Sequence, residues 1–484
     1  MALRISYGIG GLAAGIGLVL GAGTALAQPT RGTTGGSFGP PGTPHTLQDA
    51  LGAAYSYNPS LQSERATLRA TDEGVPQALA GWRPTVVLGA NAGYACGNIT
   101  ELSTFAGHET LPNERITATG TATVTQPLYR GGRTRATTNQ AKNTDYAGRA
   151  TLIATEEQVL SDTVNAYVGV IEAAQLLQLN ISNEQVLRQQ LRAANDRFRV
   201  GEITRTDVAQ AEAALAGAIA QRETAEGNLQ IANATYLRQV GFAPTNLTNP
   251  QPLRATVRNE VEAGKVAASN NPNVIAALFN LAAAKDAISV AWSALMPTVS
   301  LQGQAFREDN VQTSHTRFTG ETVTAVLSVP LYQGGSEYSA VRQARQTEQA
   351  RRKTLDDTRR LAVEQAVSAW ETLVADRATI ASTRAQITAN EVALEGVERE
   401  ALVGSRTTLD VLNAEQLLLT SRVTLVQNLA SLVTASYTLA SATGRLTARD
   451  LALHVPLYDD TAYFRAVRDR LWGTGDYATD QPGR

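Results

Sequence analysis

The chain has 484 residues, with 42 Lys and Arg against 44 Asp and Glu, for a formal net charge of −2. That balance offers no strong basic patch, so nucleic acid is not an expected partner. The single cysteine, Cys96, excludes an internal disulfide and a lipid-carrying N-terminal cysteine, and the four scattered histidines (His45, His108, His315, His454) lack metal-ligand spacing, so neither metal nor cofactor is implied.

Residues 1–27 read as a secretory signal. Arg4 gives the positive start, an apolar Gly/Ala-rich stretch runs from Ile9 to Leu20, and Ala25-Leu26-Ala27 is a small-x-small cleavage site. Cleavage there removes Arg4 and takes the formal charge from −2 to −3. A membrane anchor is the less favoured reading, because glycine dilutes the stretch. After residue 27 no run of about 18 residues is wholly apolar, so no transmembrane helix is expected. Residues 28–45 form a Gly/Pro/Thr linker.

A first structural repeat spans 46–242. It opens with a helix from Thr46 to Gly81, carries the string NPSL at Asn58, where the proline fits a first turn or a break, and closes at Pro84. Two segments with the period of a strand follow at 85–96 and 115–126, separated by a loop at 97–114. In the second, Ile116, Ala118, Gly120, Ala122 and Val124 alternate with threonines. Residues 132–200 then hold no proline and few glycines. Leu152, Val159, Tyr167, Val170, Leu177, Leu187, Leu191 and Phe198 make an apolar stripe at helical spacing. A returning helix runs from Thr206 to Val240, and 243–258 links to a second repeat at 259–445. That repeat has a helix from Asn259 to Leu295 with NPNV at Asn271. Strand segments follow at 298–306 and 317–329, then a long helix after Gly335 and a return from Thr407 to Thr443. Residues 446–484 form a C-terminal tail.

The duplication is explicit. QPLYRGG from Gln126 returns as VPLYQGG from Val329, and VGEITRTDV from Val200 returns as VGSRTTLDV from Val403. Tyr129 to Gly201 and Tyr332 to Gly404 are both 72 residues, and Asp207 to Gly241 and Asp410 to Gly444 are both 34. Unbroken spacing of that length implies long rigid elements, because loops absorb insertions and helices do not. The repeat offset changes from 213 to 203 only across the loops 97–114 and 307–316, as hairpin tips allow.

The strand segments match tilted transmembrane strands of ~9–11 residues, with Tyr94, Phe306 and Phe318 toward their ends. Val299, Leu301 and Ala305 are assigned to the lipid face, and Gln302 to the wet one. Four strands are too few to close a barrel, and open edges cannot sit in lipid. The chain must therefore oligomerise. A trimer supplies twelve strands, although the count alone leaves a dimer open.

The two doubled motifs, of the types PLYxGG and VGxxTxxDVLxAE, the second tip (VGSRTTLDVLNAEQ from Val403) matching more closely than the first, resemble those of the TolC family of outer-membrane channel proteins, over residues 46–445. The resemblance implies a mainly α fold with transmembrane β: a homotrimer with a twelve-stranded β-barrel in outer-membrane lipid, continued by a periplasmic α-helical barrel. It implies a passive exit duct for efflux or type I secretion, docked to a periplasmic adaptor and an inner-membrane RND or ABC-type transporter, with the tail wrapped outside the helical barrel. The strand–helix junctions are then Pro127, Gly131, Gly132, Pro330, Gly334 and Gly335. The periplasmic tip turns, which meet the adaptor, are Val200, Gly201, Val403 and Gly404. By position, Arg406 matches the family's constriction arginine, Asp207 and Thr206 its acceptors, and Asp410 the outer member of an aspartate ring. Ala401 and Asn413 depart from the pattern, where a tyrosine and a second aspartate are usual, so a looser and less charged gate is expected. Asp207 and Asp410 also suit helix caps. No catalytic constellation is present: the GxSxG string at Gly35 lies in the linker. The alternative to a duct is a non-channel periplasmic coiled-coil scaffold with plain hairpins.

Overall fold

The computed structural model describes residues 44–103 and 107–475. The secretory signal, and the linker up to residue 43, lie outside the described residues. In chain order the elements are α1 (Leu47–Tyr57), α2 (Pro59–Asp72), α3 (Gly74–Leu79), a 3-10 turn (Ala80–Trp82), β1 (Thr85–Ala95), β2 (Asn98–Ser103), β3 (Gly107–Pro112), β4 (Arg115–Arg130), α4 (Arg133–Arg199), α5 (Arg205–Val240), α6 (Glu260–Asn270), α7 (Pro272–Ser293), β5 (Thr298–Asp309), β6 (Arg317–Ser328), α8 (Ser336–Leu402), α9 (Thr408–Ala442) and α10 (Ala462–Val467).

The opening helix of each repeat is broken at its Asn-Pro string, the second of the two readings, first turn or break, that the proline allowed. Asn58 ends α1 and caps α2, its side chain accepting from the Ser60 amide, and Pro59 takes the first helical position, where a missing N–H costs nothing. Asn271 and Pro272 do the same between α6 and α7. The amide of each asparagine then reaches across its repeat, Asn58 to the Gln239 carbonyl and Asn271 to the Ala442 carbonyl, both at 3.2 Å. The first repeat has a further break before Gly74. Pro76 cannot donate to the Asp72 carbonyl, whereas the matching position in the unbroken α7 is Ser289.

The four expected strands form one antiparallel sheet in the order β1-β4-β5-β6, so β1 and β6 are open edges. Register puts Val86, Leu88, Ala90, Ala92 and Tyr94 opposite Val124, Ala122, Gly120, Ala118 and Ile116. The same face continues through Leu301, Gly303 and Ala305, and in β6 through Val323, Ala325 and Leu327. Threonines of β4 and Gln302 and Gln304 of β5 occupy the other face. Phe306 and Phe318 also lie on this wet face, with ring centroids 5.4 Å apart, so only Tyr94 of the three aromatic residues sits on the apolar side. The expected loop at 97–114 contains the hairpin β2–β3, with Thr100 and Thr110 hydroxyls 3.0 Å apart. β4 runs four residues past its expected end, to Arg130. Pro127 is therefore inside the strand rather than at the junction, seated at a bulge that tolerates its missing N–H.

α4 and α8 have 67 residues each, or about 100 Å of helix. They pair with the returning helices α5 and α9 and also flank α7. One core joins Leu51, Leu61, Leu160, Tyr167 and Tyr236, and a second joins Val274, Leu281, Leu355, Leu373 and Leu439. Of the expected stripe, Leu152, Val159, Tyr167, Val170 and Leu187 are buried, Leu177 and Leu191 are half-buried and Phe198 is exposed. The stretches Glu260–Ser293 and Thr408–Ala442 each contain an 18-residue window apolar enough to cross a membrane, contrary to the sequence expectation. The first is interrupted by Asn271-Pro272, and both stretches supply the alanine-rich faces that pack on α8.

The tail binds the first repeat. Glu157 and Glu156 accept from the Leu446 and Ala448 amides at 3.2 and 2.7 Å. The Tyr458 amide donates to the Tyr55 hydroxyl, and the buried Arg65 guanidinium lies over both tyrosine rings. Burial pushes the Glu157 carboxyl up to about 8. Burial also raises Asp72, which faces the Asp145 carboxyl.

Two outcomes follow from this packing. Leu301→Arg, on the apolar face, should cost ~2–4 kcal/mol if that face meets lipid, while Gln302→Arg should be mild. Folding yields in lipid vesicles check this, and equal losses would speak against a lipid face. Separately, the raised carboxyls mean that the folded chain holds protons the unfolded chain releases between the ordinary carboxyl range and about 8. Stability should therefore fall as pH rises through that window. Thermal melts across it should show the decline, and Glu157→Gln should flatten it.

Candidate functional site

Both long helices end in the same reversal, and the VGxxTxxD string explains it residue by residue. Val200 ends α4 and Gly201 adopts φ 83°, a left-handed conformation that glycine reaches without a Cβ penalty. The Gly201 amide then donates to the Phe198 carbonyl and the Glu202 amide to the Arg197 carbonyl, both at 3.0 Å, which satisfies the last helical acceptors. Gly404, at φ 78°, and Ser405 repeat these bonds to Ala401 and Glu400.

The returning helices begin with capping boxes. Thr204 accepts from the Asp207 amide, and the Asp207 carboxylate receives the Thr204 amide at 2.9 Å and its hydroxyl at 2.6 Å. Thr407 and Asp410 make the same pair, at 3.0 and 2.9 Å. These bonds hold both carboxyls below the usual range, through the Thr204 hydroxyl first for Asp207 and the Thr407 amide first for Asp410. Both are therefore ionised at neutral pH. Thr204 and Thr407 were missed as site residues, although T-x-x-D ahead of an apolar run is the sequence signature of a cap. Thr206 lies exposed in the first turn of α5.

Arg406 pairs with Glu400 of its own turn, Nε to Oε2 at 2.8 Å, and this partner holds the guanidinium charged. Within one chain the structure thus joins Arg406 to Glu400, and Asp207 to Thr204. The turns also present apolar surface: Val200 is 78% exposed and Val403 is 80% exposed. Further along the helices, Leu187, Ala218 and Leu412 form a small buried cluster.

At the opposite end, each strand-to-helix junction is a pair of left-handed glycines, Gly131 and Gly132 at φ 62° and 82°, and Gly334 and Gly335 at 71° and 82°. A Cβ on Gly131 would fall 2.5 Å from the Met296 Cβ, so close packing demands glycine there as well. Pro330 lies between β6 and this second pair.

Thr204→Ala should remove one capping interaction and destabilise the start of α5 by ~1 kcal/mol. Hydrogen exchange of the amides at 206–208 should accelerate, whereas Thr206→Ala should leave them unchanged.

Comparison with known proteins accounts for this arrangement. The family model described as outer membrane efflux protein matches residues 50–241 and 264–445, one segment in each repeat. The outer membrane efflux protein BepC of Brucella suis is 36% identical over 434 residues, covering 88% of this chain and 91% of its own length. The outer membrane protein TolC of Escherichia coli is 25% identical over 417 residues, 81% of each chain. The fold matches the CmeC outer membrane channel of Campylobacter jejuni with a TM-score of 0.73 at 16% identity, covering 87% of this chain and 89% of that one. The doubled match and the similarity to BepC over most of both chains establish that the chain belongs to the outer membrane efflux protein family.

Proposed function

We infer that this outer-membrane exit duct is completed by three copies of the chain, and that its helix-pair turns form the gate. The observation that carries the reading is the four-stranded sheet with an apolar face and two unpaired edges. Such a sheet leaves a row of backbone donors and acceptors without partners, which hydrocarbon does not tolerate. Pairing β6 of one copy with β1 of the next satisfies both edges. Three copies give twelve strands, and each copy's two repeats give quasi-six-fold order. The helix pairs then continue the duct into the periplasm, with the tail on their outer side. The exposed Val200 and Val403 turns are the surface offered to a periplasmic adaptor, and through it to an inner-membrane pump of RND or ABC type.

Around the threefold axis every turn residue becomes a ring of three. In the closed mouth Arg406 exchanges Glu400 for Asp207 of the neighbouring turn, a charge-assisted hydrogen bond made three times over. Asp410 contributes three ionised carboxylates to the entrance.

Crosslinking in mild detergent should stop at three copies, and a stable monomer would defeat the assembly. In planar bilayers Arg406→Ser should raise leak conductance, while Glu400→Gln, which frees Arg406 for Asp207, should not. If both variants conduct like the parent and only melt earlier, the arginine merely braces its own turn. Asp410→Ala should lower cation preference, read as a shift in reversal potential under a salt gradient.

A further inference from the structure

Between α2–α3 and the start of α4 lies a cavity of about 500 Å³, lined among others by Gln77, Arg130, Arg133, Thr137, Gln140 and Thr144. Two guanidinium groups thus border one space. Neither Arg130 nor Arg133 makes an ion pair or a side-chain hydrogen bond among the described residues. Gly81 leaves room for the first: a Cβ there would lie 3.1 Å from Arg130 Nη1 and 2.8 Å from Thr134 Cγ2.

The duplicated fold supplies an internal control. The second repeat builds the same junction with Gln333 for Arg130, Ser336 for Arg133, Val290 for Gln77, Ala340 for Thr137 and Ala294 for Gly81. Gln140 and Thr144 recur as Gln343 and Thr347, so what the architecture does not require, and what one repeat alone carries, is the pair of arginines.

Two observations place the opening. Arg130 pairs with Thr298 across the sheet and so stands on the Thr/Gln face rather than the apolar one. On α4, Arg133, Thr137, Gln140 and Thr144 form one stripe. Arg149, whose guanidinium lies over the Phe464 ring of the tail, is roughly 160° away around the helix. Along α4 the lining thus points away from the tail's Phe464 contact, and Arg130 stands away from the apolar face of the sheet.

We propose that this cavity is an anion-binding site on the inner wall of the duct, taking the phosphate group of a small organic phosphate. The inner-wall placement rests on the duct reading above. Two guanidinium forks match the oxygens of a phosphate, and the glutamine amides add donors. The volume lies in the range of small-molecule sites and exceeds what a bare anion fills, so the anion belongs to a larger solute. All lining residues come from one chain, so each protomer carries a complete site.

The test uses the intact chain in detergent, titrated calorimetrically with glycerol 3-phosphate, inorganic phosphate, glycerol and dihexanoyl phosphatidylglycerol. Glycerol 3-phosphate should bind once per chain and more tightly than inorganic phosphate, and glycerol should not bind. The double variant Arg130→Gln/Arg133→Ser installs residues that the second repeat already carries at these positions. It should weaken binding by about tenfold or more while keeping the parent's oligomeric size. Equal binding by parent and variant, or no binding by the parent, would overturn the proposal, and preference for the phospholipid would reassign the site to a lipid headgroup. Parent conductance in planar bilayers is measured alongside. A conducting parent without binding defeats this inference alone, whereas binding by a chain that never conducts defeats the duct reading and with it the inner-wall placement.

Discussion

The open edges of the four-stranded sheet are the constraint on which the rest depends. β1 and β6 each have one partner, and the sheet's apolar face crosses all four strands from Val86 through Val124 and Gly303 to Val323. In water that face invites aggregation, and in lipid the unpaired backbone edges are costly. Closure with further copies, as proposed, would pair the edges and let the apolar face meet lipid, and it would impose geometry on the helices. The strand order sets which helices are neighbours. The glycine pairs at Gly131–Gly132 and Gly334–Gly335 turn each strand sharply into a 67-residue helix, so the sheet's curvature is handed on to the helical layer.

Duplication makes this economical and also shows where the repeats were free to differ. The matched asparagines at 58 and 271 make the same inter-helix bond, and the matched turns use the same Schellman and capping-box bonds. Such backbone-satisfying groups are needed in both copies because buried or terminal amides and carbonyls must find partners. The break at Pro76 aside, the divergent Arg406, Arg130 and Arg133 stand where backbone satisfaction is not at stake. Arg406 stands where the first repeat has Ile203, and Arg130 and Arg133 stand where the second has Gln333 and Ser336. The tail breaks the symmetry further. It gathers Glu156, Glu157 and Arg65 of the first repeat into a buried polar layer whose carboxyls are raised by loss of water.

Much of this was legible in the sequence, and the reason is periodicity. Long helices and alternating strands repeat their burial over many residues, and the duplicated motifs with constant 72-residue and 34-residue spacing fix which segments are rigid. The four strands and the helical hairpins were readable within a few residues, as was the position of both turns. The turn chemistry was legible in part: Asp207 and Asp410 were recognised as cap candidates, but Thr204 and Thr407, which share the caps, were not.

What needed the tertiary structure was every feature decided by a neighbour distant in sequence. Asn58-Pro59 is compatible with either a first turn or a break, and the break is held by the contact with Gln239, 181 residues away. Phe306 and Phe318 look like interfacial aromatics by sequence position, but cross-strand register puts them on the wet face. Pro127 looks like a junction, and its pairing with Ser300 across β5 places it in a strand bulge. Arg406 was matched to Asp207 by position, while its own turn brings Glu400 to 2.8 Å. The sequence by itself thus determined the elements, their order and their duplication, because those follow from local propensity and spacing. Faces, pairings and cavities followed only from packing, because a side chain's partner is set by register and helix azimuth, which no local pattern encodes.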